Sequence, residues 1–268
     1  MTAFVEQGSG RPLVLVPGIQ GRWEWMRPAV DSLALRFRVI TFSLPGERKS
    51  GPSPRGFDAH VDQVDEVLDR AAVDRAIVCG VSYGGLVALR YAARRPARVD
   101  RLVLVSTPGP RWQPNARVQR YANAPRTSAL AFVAGAPGRL LREIAAAVPG
   151  RAQRLRTVAG YARSIVCYPG SAARMAARVR CLAGEDFVAD AKHVAAPTLI
   201  ITGEPALDRV VPVQGTREYL DLIDGAVGVT LQNTGHIGLV TRPAAFAELI
   251  HAWCQRQEPN VESRESFR

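Results

Sequence analysis

Predominantly apolar runs of five to seven residues recur along this chain, at residues 12–16 (PLVLV), 37–42, 75–80, 101–106 and 197–203. A strand with one face in water would carry a polar residue at every second position. These runs do not, so each reads as a strand buried on both faces. Between them lie segments of helical period. Residues 58–72 put Val61, Val64, Leu68 and Ala71 on one face and Asp62, Asp65, Glu66 and Asp69 elsewhere, and residues 83–95 keep helical character until Pro96 stops them. Shorter strands at residues 4–6 and about 227–232, and a helix over 243–255, complete the pattern. Regular alternation of strand and helix predicts an α/β fold, a mostly parallel sheet flanked by helices.

The alternation breaks after Thr107-Pro108-Gly109-Pro110 and resumes near residue 189. In between, Leu140, Leu141, Ile144 and Val148, then Leu155, Val158, Ala159 and Ala162, recur at helical spacing and no strand is evident. We expect a core of residues 1–107 and 189–256, an inserted helical cap at 108–188, and a polar, disordered tail at 257–268.

A net charge of +11 raises the question of nucleic acid or an anionic membrane. Arginine outnumbers lysine 33 to 2, which fits a bias toward GC-rich codons, and most of the charge reads as solvated surface. One local excess stands out: from Arg111 to Arg180 there are thirteen arginines and a single acid, Glu143. Some of these could attract a carboxylate-bearing substrate. No apolar stretch is long enough to cross a bilayer, and the first residues lack a basic-then-apolar leader pattern. The widely spaced Cys79, Cys167, Cys181 and Cys254 read as free thiols, with Cys79 buried. The expectation is a cytoplasmic protein with neither membrane nor nucleic acid as partner.

Gly80-Val81-Ser82-Tyr83-Gly84 fits Gly-x-Ser-x-Gly at a strand-to-helix junction. There a sharp turn exposes the serine hydroxyl, and the flanking glycines allow strand and helix to approach. A nucleophilic serine needs a base. Of four histidines, His60, His193 and His251 lie in or beside regular elements, whereas His236 follows the last strand in a polar loop. The orienting carboxylate should lie on the loop after the preceding strand. Asp208 is the first choice and Glu204 the substitute, and no carboxylate follows the strand ending at Ser106. Backbone N–H groups of Ile19, in the loop Pro17-Gly18-Ile19-Gln20-Gly21, and of Tyr83 are candidates for the oxyanion hole. Gln20, Trp23, Trp25 and Trp112 are candidate pocket walls. No cofactor or metal is expected: no phosphate-binding glycine loop and no ligand spacing of Cys, His and carboxylates occurs.

The residues at 17–21, 44–51 (Leu44-Pro45-Gly46-Glu47-Arg48-Lys49-Ser50-Gly51), 80–84, 203–212 and Gly235-His236 together resemble the α/β-hydrolase superfamily, over about residues 4–255. The order Ser82, Asp208, His236 matches that family's nucleophile, acid and base. Pro17 stands where relatives carry a histidine, and Ser43 and Glu47 where they carry Asp and His. The acid loop is also longer by Pro205–Leu207. The resemblance implies a serine hydrolase of carboxylic esters or lactones acting on a small molecule. The family's alternatives are a C–C bond hydrolase cleaving a vinylogous diketone from aromatic breakdown, and a non-catalytic ligand receptor. The acyl and alcohol groups and the oligomeric state are left open.

Overall fold

The computed structural model describes residues 2–47, 56–127 and 135–256. Seven strands, β1 (Phe4–Gln7), β2 (Pro12–Val16), β3 (Arg38–Phe42), β4 (Ala76–Val81), β5 (Val99–Val105), β6 (Thr198–Thr202) and β7 (Val227–Thr230), form one sheet in the order β1-β3-β2-β4-β5-β6-β7. Only β1 runs antiparallel to its neighbour; the other pairings are parallel.

Alternate residues of each central strand feed opposite cores, which is why the runs are apolar throughout. Leu13, Leu15, Ile77, Cys79, Val103, Leu199 and Ile201 pack toward α1 (Arg27–Leu33) and α12 (Pro243–Arg256). Val14, Val16, Ile40, Val78, Leu102, Leu104 and Ile200 pack toward α2 (Asp58–Arg70), α3 (Tyr83–Arg94) and α8 (Phe187–Lys192). Each fully buried Val, Leu or Ile contributes roughly 1.5–3 kcal/mol. α3 is enclosed almost entirely: every residue from Tyr83 to Ala92 is buried. The Gly80–Gly84 motif therefore stands between the centre of the sheet and its most protected helix.

Between β5 and β6, the segment expected to form a cap contains α4 (Ala116–Asn123), α5 (Ala136–Ala147), α6 (Arg151–Cys167) and α7 (Ala172–Arg180). Asn115 Oδ1 accepts from Val118 N at 3.0 Å and starts α4, and Ser171 Oγ accepts from Arg174 N and starts α7. Of the apolar positions expected to face inward, Ile144 and Val148 are buried, but Leu155 is 72% exposed and α6 buries none of its residues. Its apolar spacing suits a helix that rests on the molecule by one edge, where Tyr161 meets Trp25. The chain rejoins the core at α8, where Phe187 packs edge-on against Phe57, so the boundary expected at residue 188 falls inside that helix.

The short helices α1, α9 (Val213–Arg217), α10 (Tyr219–Leu222) and α11 (Gly238–Thr241) had no counterpart in the sequence reading, because one or two turns are too short to display a period. All four cysteines are free, and Cys79 is buried. The segment 48–51 and the tail 257–268 lie outside the described residues. Among the described residues no helix is long and apolar enough to cross a membrane.

Candidate active site

β4 ends at Val81 and α3 begins at Tyr83, so Ser82 alone makes the turn between them. Its backbone sits at φ 54°, ψ −119°. Such a conformation costs a non-glycine residue on the order of 1–3 kcal/mol and persists only where the surroundings impose it. Ser82 N donates to Val105 O at 2.8 Å and Gly85 N donates to Ser82 O at 2.8 Å, tying the turn to β5 and to α3. Packing closes it further: a Cβ on Gly80 would stand 2.2 Å from Gly84 O, and one on Gly84 would stand 2.4 Å from Val16 O. Strand, turn and helix fit only because both positions are glycine.

The loop after β2 passes directly beside this turn. A Cβ on Gly18 would lie 3.6 Å from Ser82 Cβ and 3.0 Å from Gln20 Oε1, so the serine and the Gln20 amide both border Gly18. Gly21 N donates to Gly18 O at 2.8 Å and closes the loop. Neither Ile19 N–H nor Tyr83 N–H has an acceptor among the described residues. For Tyr83 this follows from its place as the first residue of a helix.

The loop after β6 folds back on itself, with Leu207 N and Asp208 N both donating to Glu204 O at 3.0 Å. Asp208 is buried. Its Oδ1 accepts from Val210 N at 2.9 Å and Val211 N at 3.0 Å, leaving Oδ2 to face His236 Nδ1 at 3.2 Å. Glu204, the substitute acid, points elsewhere: its Oε1 accepts from Asn233 N at 2.6 Å and braces the far end of the histidine loop. The structure thus brings Asp208, not Glu204, to His236. Among the described residues no hydrogen bond joins Ser82 Oγ to His236; such contacts often tighten only when substrate is bound.

Burial opposes charge on both partners, yet each ends on the charged side. For His236 the cost of burying the imidazolium is outweighed by Asp208 and by Glu143, and the pKa lies above its ordinary value. For Asp208 burial is likewise outweighed by His236 and by the N–H groups of Val210 and Val211, and the pKa is lowered. The other histidines are engaged elsewhere. His60 is buried beneath Tyr83, its Nδ1 3.5 Å from the phenol oxygen, and burial followed by the Arg178 charge lowers its pKa to about 4. His193 Nδ1 lies 2.7 Å from Ala189 O, and His251 packs edge-on against Phe37.

Two cap residues at the site escaped the sequence reading. Glu143 on α5 is 0% exposed, and its two oxygens accept from Ile237 N at 3.0 and 3.2 Å. Arg178 on α7 is buried and donates to Ile19 O at 2.8 Å, Pro45 O at 3.2 Å and Glu47 Oε1 at 3.1 Å. Being the one acid among thirteen arginines was the signal for Glu143. Arg178 had none. Trp23 packs on the α1 side of the sheet with Arg27 over its ring, and Trp112 is half-buried on the loop after β5. Trp25 instead joins the cap, donating from Nε1 to Tyr168 O at 2.9 Å. A cavity of about 500 Å³ lies beside the Asp208 loop, lined by Arg117, Tyr121, Gly135, Gly138 and Arg209. Among the described residues no group of His, Cys, Asp or Glu could hold a metal ion.

A family model described as the alpha/beta hydrolase fold matches residues 11–243. Two proteins named for carbamate hydrolysis (RutD) are similar. The one from Variovorax paradoxus is 32% identical over 88% of this chain and 89% of its own length. For the one from Rhizobium rhizogenes the 32% identical match spans less than half of either protein, 38% of this chain and 42% of that one. The pimeloyl-[acyl-carrier protein] methyl ester esterase of Nitrosomonas europaea is 30% identical over 91% of this chain and 96% of its own length. Among solved structures, the enol-lactonase from Burkholderia xenovorans superposes with a TM-score of 0.77 at 23% identity, covering 94% of this chain and 96% of that one. Matched across most of its length by sequence and by architecture, this chain belongs to the α/β-hydrolase family.

Proposed function

We propose that this hydrolase cleaves a carboxylic ester or lactone through an acyl-enzyme on Ser82. Two observations support the reading: the strained backbone of Ser82 at the β4–α3 turn, and the buried pairing of Asp208 with His236. Asp208 accepts from Nδ1–H and leaves Nε2 of the imidazole free to act as base. Ser82 Oγ attacks the carbonyl carbon while Nε2 takes its proton. The oxyanion that forms is held by the N–H groups of Ile19 and Tyr83, which have no other acceptor among the described residues. His236 then returns the proton to the leaving alkoxide oxygen. A water deprotonated by His236 attacks the acyl-enzyme, and collapse of that second intermediate frees the acid and restores Ser82. No step needs a metal or cofactor.

Ester chemistry is in keeping with the Nitrosomonas relative, whose name is that of a methyl ester esterase, and the same attack would serve the carbamate in the name of the Variovorax relative. Gln20, which borders Gly18 as the serine does, is the pocket residue we assign first, with Trp23 and Trp112 more peripheral. The substrate is a small molecule that enters between cap and core. Labelling with a fluorophosphonate, followed by peptide mapping, tests the nucleophile. We expect one adduct, on Ser82, lost in Ser82→Ala together with turnover of an ester, lactone and carbamate panel. An adduct elsewhere, or full activity in S82A, would overturn the assignment. An adduct on Ser82 without turnover of any panel member would redirect it to C–C bond hydrolysis or ligand binding.

A further inference from the structure

The only acid between Arg111 and Arg180 is sent to the histidine loop. From Arg111 to Arg180 Glu143 has thirteen arginines for company in sequence, yet no arginine pairs with it among the described residues. Its carboxylate is wholly buried, accepts from Ile237 N on one side of His236 and lies against Gly235 on the other. The fit is close: a Cβ on Gly235 would stand 2.8 Å from Glu143 Oε2 and 2.5 Å from Leu207 O. Gly235 is thus wedged between the cap's acid and the loop that carries Asp208. Burial of this carboxylate pushes its pKa above the ordinary value, a rise opposed by the neighbouring backbone N–H groups and by the charge of a protonated His236. The group able to become positive whose charge acts on Glu143 is the His236 imidazole.

We propose that Glu143 is a positioning residue for this hydrolase, a cap carboxylate that fixes the backbone on both sides of His236 and adds a second negative charge to that of Asp208. The proposal rests on the reading of His236 as the general base. It makes the cap part of the machinery that places the base, beyond its role as a cover over the substrate.

The charges that bear on His236 are few. Asp208 faces it from the loop after β6 and Glu143 from α5; Glu204 is bound to Asn233 N, and α11 (GLVT), which follows the histidine, carries no charge. Both carboxylates favour the protonated imidazole. Removing either charge therefore makes His236 easier to deprotonate, and the acid limb of the pH profile moves to lower pH.

Glu143→Gln keeps the side-chain shape and removes the charge. The test compares it with wild type and with His236→Asn, using the pH dependence of Ser82 phosphonylation by a fluorophosphonate and of p-nitrophenyl acetate hydrolysis. We expect E143Q to lose tenfold or more in kcat with KM within about twofold, and its acid limb to lie at lower pH. A folded E143Q with an unmoved acid limb overturns the proposal, whether or not its melting temperature falls, because a purely structural residue would change stability alone. If E143Q does not fold, Glu143→Asp carries the test: the charge remains but falls one methylene short, so a kcat equal to that of wild type overturns the positioning role. Failure of the underlying reading looks different, since H236N would then retain activity whatever Glu143 does.

Discussion

Ser82, Asp208 and His236 show how single residues are held away from the conformations or charges they would choose alone. Ser82 keeps a positive φ because Gly80 and Gly84 let β4, α3 and the end of β2 close around it. Asp208 spends one oxygen on its own loop and the other on the imidazole, which fixes both the carboxylate and the tautomer. Asp208→Asn should leave the fold intact and lower kcat by about 10³–10⁴-fold, because the amide can donate to Nδ1 and favour the wrong tautomer. Its sign with pH is also set. His236 has a raised pKa in the folded protein, so wild-type kcat/KM should rise with pH through an apparent pKa above 6.5, as the base becomes neutral. With the Asp208 charge gone that limb moves down, and initial rates across pH 5–9 would check it.

Among the elements, the contact of α2 with α3 carries an acid sensitivity of its own. His60 on α2 is buried beneath Tyr83, the first residue of α3, with a pKa lowered to about 4 by burial and then by Arg178. A depressed pKa means that the unfolded chain takes up a proton before the folded one does. The stability His60 contributes is therefore complete above pH 6.5 and lost as pH falls toward 4, by up to about 3 kcal/mol at ~1.4 kcal/mol per pH unit. Urea unfolding midpoints should fall less between pH 6.5 and 4 in His60→Gln than in wild type; parallel curves would refute the assignment. The period of α2 was legible because Val61, Val64 and Leu68 mark one face, and that face is buried. The burial of His60 and Gln63 beside it was not, because a polar residue at the edge of an apolar face goes inward only if another element offers it a partner. Here Tyr83 and Phe57 do so for His60, and Ser43 O for Gln63.

Across the whole molecule, buried polar contacts join the inserted helices to the core. Glu47, nearly inaccessible, pairs with Arg174 and Arg178 from α7, and Arg178 reaches on to the carbonyl of Ile19. Removing one partner of such a pair strands the other in a site without water. Glu47→Ala is expected to cost roughly 3–5 kcal/mol, seen as a lower unfolding midpoint and faster proteolytic cleavage within residues 108–186. Several of the basic cap residues thus have structural work: Arg154 donates to the carbonyls of Ala145 and Val148, and Arg180 to that of Ala122. That charge excess arises in part from helix bracing, which a count along the sequence does not distinguish from a binding face.

The sequence by itself determined the sheet and its flanking helices, because strand burial and helix period are written in consecutive residues. It also singled out Ser82, His236 and the loop holding Asp208, since each sits at the end of a legible strand. Only the tertiary structure decided between Asp208 and Glu204, for both follow β6 and the difference lies in which one the fold of that loop turns toward His236. Only it showed that Glu143, 94 residues from Ile237 in sequence, and Arg178, 159 residues from Ile19, reach the loops at 235–237 and 17–21 from the inserted helices. Such contacts depend on how one layer of the molecule seats on another, and no local pattern of residues records that seating.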